Sequence, residues 1–349
     1  MRIRLVEYKC IVNDQGQPYG HALRALKDAL KICEVLGYEV EVAASKPFLS
    51  DITQKRVELP NSISVNKYTY KSLFSIINNL RSAVNTDKDT VIWFTNVDWY
   101  LFLFLGIYHI KQNAFATIYK KRNDIIGGFK GKKGIVGDIL THILQKGIKR
   151  IDLYFETFFS TERFSNAAYV PDYMYTSFYE EKRSDKQNER VICPGTINTQ
   201  KDILGLVEAF AKIDYPLLIV GEFADKNLYL QVNQKKTDNI EVDDRRLSYD
   251  EYCQLIATSK YCITPYDMTC YSSATSGVLR EAVYLGSTPI APKSLLNNTG
   301  FSGIGYESLR NLADVFNPLN TSLFANNLEP YKEENVIQNV GTVIRNLRL

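Results

Sequence analysis

Ser272, Ser273, Thr275, Ser276 and Gly277 crowd one short run, YSSATSGVLREAVYLGSTPIA over 271–291, that reads as a loop opening a helix. Amides at a helix start lack intrahelical acceptors, and the helix dipole adds positive potential there. Small hydroxyl residues and a glycine let an anion come close to those amides, so the chemistry suggested is phosphate binding. Glu281 follows Gly277 by four residues and Val278 by three, which puts all three on one helix face. A carboxylate at that place could accept both hydrogen bonds of a vicinal ribose diol. The same features also describe an ordinary capped helix carrying a surface glutamate.

Two further stretches have the same character. In VICPGTINTQKDILGLVEAF, 191–210, a strand ends at Gly195 and Lys201 stands at the mouth of the next helix. A lysine beyond the carboxyl end of a strand is a point charge suited to a diphosphate, though solvated lysines are far commoner. In LLIVGEFADKN, Gly221 closes an apolar strand and permits close backbone approach, or merely serves the chain path. Other chemistries find less support. Three histidines (21, 109, 142) far apart in sequence and six scattered cysteines without a Cys-x-x-Cys pair argue against a zinc site, a Ser–His–Asp hydrolase or a disulfide framework. Asp243 and Asp244 are adjacent rather than spaced as a metal-binding Asp-x-Asp.

The elements that must position these residues alternate from end to end. Strand-like IRLVEY (3–8) leads through NDQGQPYG to a helix over 21–36, stopped by Gly37 where a capping glycine belongs. Helices over 71–83, 98–110 and 135–147 alternate with strands over 90–95, 114–118 and 151–155. A polar break at 171–190 reads as a linker. Beyond it, strands at 190–195, 215–221, 239–243, 261–266 and 287–292 alternate with helices, and a last helix spans 334–347. Such alternation implies βαβ units and parallel sheets. The expected fold is α/β: two Rossmann-like doubly wound domains in tandem, over 1–175 and 176–330, facing across a cleft that holds the ligand, with 331–349 as a helix packing back on the first. A length of 349 residues with 45% hydrophobic and 23% charged residues suits two globular domains. Segment 91–110 is apolar but carries Asn96 and Asp98, so it reads as a buried strand and core helix rather than a membrane span.

In order and spacing, GTINTQK (195–201), EAF (208–210), IVGE (219–222), TPY (264–266) and EAVYLGSTPIAP (281–292) resemble the carboxyl-terminal half of GT-B glycosyltransferases, most closely the retaining family 4. The resemblance covers about 185–295. It implies a glycosyltransferase of the hexosyltransferase type, retaining and metal-independent, which moves a sugar from a nucleotide-sugar donor to a saccharide or lipid-linked saccharide. Cell-surface polysaccharide or glycoconjugate synthesis is the implied setting. UDP-sugar is the favoured donor and GDP-sugar the second choice, with no other cofactor. Lys201 and Glu281 take the catalytic positions. Gly195, Thr196, Gly221, Ser273, Ala274, Thr275, Ser276 and Gly277 take the donor-binding positions. Three positions depart from the family: its arginine is Thr196, the first glutamate of its paired motif is Ser273, and Gly-Phe-Gly-Leu has become Ala274-Thr275-Ser276-Gly277. Sugar recognition must therefore differ. A catalytically silent GT-B protein that binds glycan or partners a transferase is the alternative.

The acceptor falls to the first domain, with Gly20, His21, Tyr119 and Lys120 as candidate contacts. Residues 1–175 contain 24 basic and 17 acidic side chains, against 18 and 22 in the rest. Within 118–152, nine cations face three anions, which suits peripheral contact with an anionic membrane or a lipid-diphosphate acceptor, or simply a solvated basic face. The near-neutral whole, at +3, and the lack of a recognised motif argue against nucleic acid. MRIRLVEYKC has no apolar run or cleavage site, so a cytoplasmic location is expected, peripheral on the inner membrane face if the basic stretch binds lipid.

Overall fold

A computed structural model describes residues 1–67, 72–119, 135–157, 164, 166–171, 174–268, 276–316 and 324–347, with the backbone alone at 135 and 136. The chain divides into two units, Met1–Pro171 with Glu334–Leu349, and Asp172–Glu333. The division thus falls slightly ahead of the expected 175/176 boundary.

The first unit is built on a seven-stranded sheet. Its strands are β1 (Arg2–Val6), β3 (Glu39–Ala44), β4 (Lys55–Glu58), β6 (Thr90–Phe94), β7 (Ala114–Ile118), β8 (Leu153–Glu156) and β9 (Ala167–Tyr169), in the order β4-β3-β1-β6-β7-β8-β9. Every pairing in it is parallel. A two-residue pair, β2 (Ile11–Val12) with β5 (Ile63–Ser64), lies apart. The central strands are buried throughout, which is why TVIWF and AFATI read as continuous apolar runs rather than alternating ones. Trp93 is fully buried, stacks obliquely on Phe155 at 4.5 Å, and donates its indole N–H to Thr117 at 2.9 Å.

The helices Trp99–Ile107 and Ile135–Ile148 meet backbone to backbone. A Cβ added at Gly147 would come within 1.9 Å of the Phe102 carbonyl oxygen, and one at Gly106 within 2.2 Å of that of Ile143. Arg150, counted above among the membrane-facing cations, donates to the carbonyls of Leu105 and Tyr108 and so closes the first of these helices. Another helix of this unit, Glu333–Asn346, buries Val336, Ile337, Val340 and Ile344. Its Gly341 lies so near Leu36 that a Cβ would meet the Leu36 side chain at 2.6 Å.

The second unit carries the strands β10 (Asn188–Pro194), β11 (Leu217–Val220), β12 (Ile240–Asp243), β13 (Ser259–Ile263), β14 (Thr288–Pro292) and β15 (Ile304–Tyr306). They form a six-stranded parallel sheet in the order β12-β11-β10-β13-β14-β15. In both sheets the strand order runs outward in one direction and then reverses. The reversal lies between β1 and β6 in the first and between β10 and β13 in the second. Ligands of such sheets bind beyond the carboxyl ends of the strands at that point. One expectation is corrected: the stretch read as a polar linker, 171–190, contains the helix Ser177–Lys182, too short for an apolar pattern to repeat.

Candidate functional site

In the second unit the switch point is closed by the loop that carries Lys201. Lys201 pairs with Tyr266 in an isolated antiparallel bridge. Asp202 N–H donates to Pro265 O at 2.7 Å, and Asp267 N–H to Gln200 O at 2.9 Å, so the loop after β10 is stitched to the end of β13. The Lys201 side chain is buried and its ammonium donates to Pro194 O at 2.8 Å. Among the described residues no carboxylate pairs with it. Burial pushes its pKa down, opposed by the neighbouring Cys193 and Cys262 thiols. A buried ammonium with one carbonyl partner is costly unless an anion arrives to share it.

Gly195 and Gly221 form the wall beside that ammonium. Both have positive φ, +85° and +143°. A Cβ at Gly221 would stand 2.2 Å from Gly195 O, so the two turns touch through bare backbone. A Cβ at Gly195 would stand 3.9 Å from Lys201 Nζ and 3.7 Å from Tyr252 Cε2. The open face of Gly195 is therefore flanked by a cation on one side and a phenol ring on the other.

Glu281 lies behind that ring, on the helix Gly277–Tyr284, and is only 4% exposed. Three tyrosine hydroxyls donate to its carboxylate. Tyr249 reaches Oε1 at 2.7 Å, Tyr179 the same oxygen at 3.4 Å, and Tyr252 reaches Oε2 at 2.8 Å. The Tyr179 and Tyr249 oxygens also stand 2.9 Å apart, so with the Tyr249 proton on Oε1 the Tyr179 proton is shared between Oε1 and the Tyr249 oxygen. Burial, and then the Glu281 charge, push the Tyr252 and Tyr249 pKa values upward, so both stay neutral donors. The helix carrying Tyr249 and Tyr252 is itself held by a capping box, Ser248 with Glu251. Ser276 caps the Glu281 helix through Leu279 N–H and shares a 3.2 Å hydrogen bond with the Tyr266 hydroxyl.

Gly195, Lys201, Gly221, Ser276, Gly277 and Glu281 thus converge at one end of one sheet. Thr196 is exposed beside them. Ser273, Ala274 and Thr275 lie outside the described residues. Lys201 and Tyr266 also border a pocket of about 630 Å³ on the side of the helices Ile203–Phe210 and Lys226–Lys235. Asp202, Asp225, Asp267 and Glu307 line it, which makes it a poor host for a diphosphate.

Among the acceptor candidates of the first unit, Gly20 has φ +72°, His21 is exposed at the start of the helix Ala22–Val35, and Tyr119 is half-buried. Lys120 lies outside the described residues, as does most of the basic stretch, 120–134. Sequence reasoning missed a different group at this unit's switch point. Glu7, directly after β1, is fully buried; its Oε1 accepts from Lys9 N–H and Cys10 N–H, and its Oε2 has no hydrogen-bond partner among the described residues. Cys10 holds φ +48°, a strained value for a residue with a Cβ, with its thiol donating to Glu7 O. Burial, with Asp98 nearby, pushes the Glu7 pKa up against the pull of Lys9 and the two N–H groups.

A carboxyl whose folded pKa exceeds its unfolded value binds its proton more tightly in the native state. Its stabilising contribution is complete below the unfolded pKa and disappears as pH rises through the folded one. Glu7→Gln is therefore expected to denature in urea much like the parent at pH 4.5 and at a higher midpoint than the parent at pH 8. The gap should be about 1.4 kcal/mol for each unit by which the pKa is raised. A gap that does not change with pH would contradict this.

No protein-family model matches the sequence, and no curated protein matches it. Solved structures do. A sucrose-phosphate synthase from Thermosynechococcus elongatus superposes with TM-score 0.63 at 12% identity, covering 99% of this chain and 98% of its own. A UDP-forming α,α-trehalose-phosphate synthase from Burkholderia xenovorans, in complex with glucose-6-phosphate, gives 0.59 at 11% identity, with both chains covered completely. HepE of Anabaena, in complex with UDP, gives 0.59 at 14% identity over 99% and 100%.

The fold is GT-B. Within it, the tyrosine trio is what the sequence least betrays. Tyr249 and Tyr252 are three apart on one helix face, a spacing that could have paired them, but Tyr179 comes from a separate helix with no signal of its own.

Proposed function

We propose that this chain is a glycosyltransferase that takes a sugar from a nucleotide diphosphate donor, UDP-sugar in first place and GDP-sugar in second. The observation that carries the proposal is the buried Lys201 ammonium at the switch point, beside the bare Gly195 turn and with no carboxylate paired to it among the described residues. That face, rather than the acidic pocket that Lys201 also borders, suits the diphosphate. The GT-B fold supports the reading, as do the neighbours described with UDP and with a sugar phosphate.

On this reading the donor's diphosphate lies on Lys201 and the helix mouth at Ser276–Gly277. Breaking the glycosidic bond builds negative charge on the leaving diphosphate, and a pre-placed cation with oriented amides stabilises that charge as it forms. Retention of configuration, without a metal or a protein nucleophile, fits family 4, to which we assign the chain on its motifs. The acceptor, a saccharide or lipid-linked saccharide, falls to the first unit, with Gly20, His21 and Tyr119 as proposed contacts. A cytoplasmic enzyme of polysaccharide synthesis, peripheral on the membrane through 118–152, completes the proposal. Among the described residues no helix is long and apolar enough to cross a membrane.

The test is a thermal-shift screen against UDP, GDP, CMP, dTDP and ADP, followed by nucleotide release from the matching sugar nucleotide with saccharide acceptors. A ligand at a hundredfold its Kd stabilises by about 2.7 kcal/mol, so a shift with UDP or GDP is the expected result. No shift with any nucleotide would defeat the proposal. Binding without turnover on any acceptor would favour the silent GT-B alternative.

A further inference from the structure

The Glu281 carboxylate is enclosed by its own protein. Both oxygens accept phenolic hydrogen bonds, from Tyr249 and Tyr179 on one and Tyr252 on the other, and the side chain is buried. A ribose diol bonding directly to that carboxylate would have to break up this set. Tyr252 is placed differently: its ring edge reaches the open face of Gly195, the same face that Lys201 Nζ approaches. A ligand whose diphosphate rests on Lys201 at Gly195 meets Tyr252 before it meets Glu281.

Resting on the nucleotide reading above, we infer that Tyr252 contacts the ribose of the nucleotide and that Glu281 is a positioning residue acting through it. The chemistry is specific. Because the Tyr252 proton is committed to Glu281 Oε2, what its oxygen offers a ligand is acceptance. An acceptor-only group rewards a ligand hydroxyl and gains nothing from a hydrogen, so the site selects ribose over its deoxy analogues. Tyr249 and Tyr179 hold the other carboxylate oxygen and so fix the direction in which Tyr252 must donate.

The test measures Kd for UDP, 2′-deoxy-UDP and 3′-deoxy-UDP, and for the guanosine counterparts, on the full chain and on Tyr252→Phe, Glu281→Gln and the double variant. The parent is expected to bind the ribonucleotide about tenfold more tightly than at least one deoxy analogue. Tyr252→Phe should bring that ratio near one while keeping the affinity for the deoxy analogue, and adding Glu281→Gln should not lower the ratio further. A merely structural Tyr252 would lower all affinities together.

Discrimination that survives Tyr252→Phe but vanishes in Glu281→Gln would overturn the inference and leave the nucleotide reading standing. So would a parent that binds UDP or GDP without discriminating. A parent that binds neither nucleotide overturns both. Should the variants fail to fold, 3-fluorotyrosine placed at 252 in the otherwise unaltered chain gives an independent reading. Its fluorine resonance should move more with UDP than with the discriminated deoxy analogue, and equal movement counts against the inference.

Discussion

Methionine at position 201 is expected to remove nucleotide-dependent turnover and to leave the chain folded. The unbranched methionine side chain can follow the path of the lysine stem, so packing around Pro194, Cys193 and Cys262 persists. What disappears is the charge. In the unliganded protein that charge is a cost, because burial strips its water and, among the described residues, Pro194 O alone receives a hydrogen bond from it. The melting temperature of Lys201→Met without ligand should therefore equal or exceed the parent's. During sugar transfer the same charge faces the leaving diphosphate, and removing one such pre-placed group typically costs about 10² to 10³ in rate. Lys201→Arg should not rescue it, since a planar guanidinium cannot occupy a buried slot shaped for a point charge. UDP release and a melting curve measure both quantities. Full turnover in Lys201→Met would mean the lysine serves only the fold.

Alanine at position 221 should be among the most damaging single-methyl additions in the second unit. Its φ of +143° already excludes an L side chain, which costs about 1–3 kcal/mol. The methyl carbon would also fall 2.2 Å from Gly195 O and 2.7 Å from Gly195 C, and rigid backbone can yield only by shifting the whole turn. A loss on the order of 4 kcal/mol is expected, read as a lower urea midpoint with an unchanged slope. Gly195→Ala is the informative contrast. Its strain is similar in kind, but the nearest atoms stand at 3.7 and 3.9 Å, so no clash is added. Its methyl instead enters the gap between Lys201 and Tyr252. Stability should fall by only about 1–3 kcal/mol, while nucleotide affinity should fall more steeply than in any variant that leaves this gap clear. Equal stability losses at 195 and 221 would contradict the geometry.

Much of the architecture is legible because it rests on local physics. Gly37 ends the first helix at φ +71°, as a capping glycine should, and the apolar runs at 91–94 and 114–118 could hardly be anything but strands of a buried parallel sheet. What escapes notice is short or non-local. β2, β5, β9 and β15 have two or three residues each, too few to show a period. Lys201 stands out by its place after a strand, but its burial depends on Tyr266 and Pro265 arriving from far along the chain. Glu281 looks like a surface carboxylate until Tyr179 is brought to it across a separation of 102 residues. Arg150 reads as one cation in a basic patch, whereas its hydrogen bonds to Leu105 and Tyr108 give it a helix to close. Side-chain partners of this kind are set by topology, which no window of sequence contains.

The division of the chain carries a consequence for its synthesis. Domains usually complete themselves in the order in which they leave the ribosome. Here the earlier-made unit needs the helix Glu333–Asn346, translated only after the whole of the second unit, to cover the face near Leu36. The later-made unit is uninterrupted and depends on no such straggler. The second half can therefore mature first, while the first waits with an apolar strip exposed until that helix emerges, which makes that half the one in greater need of a chaperone.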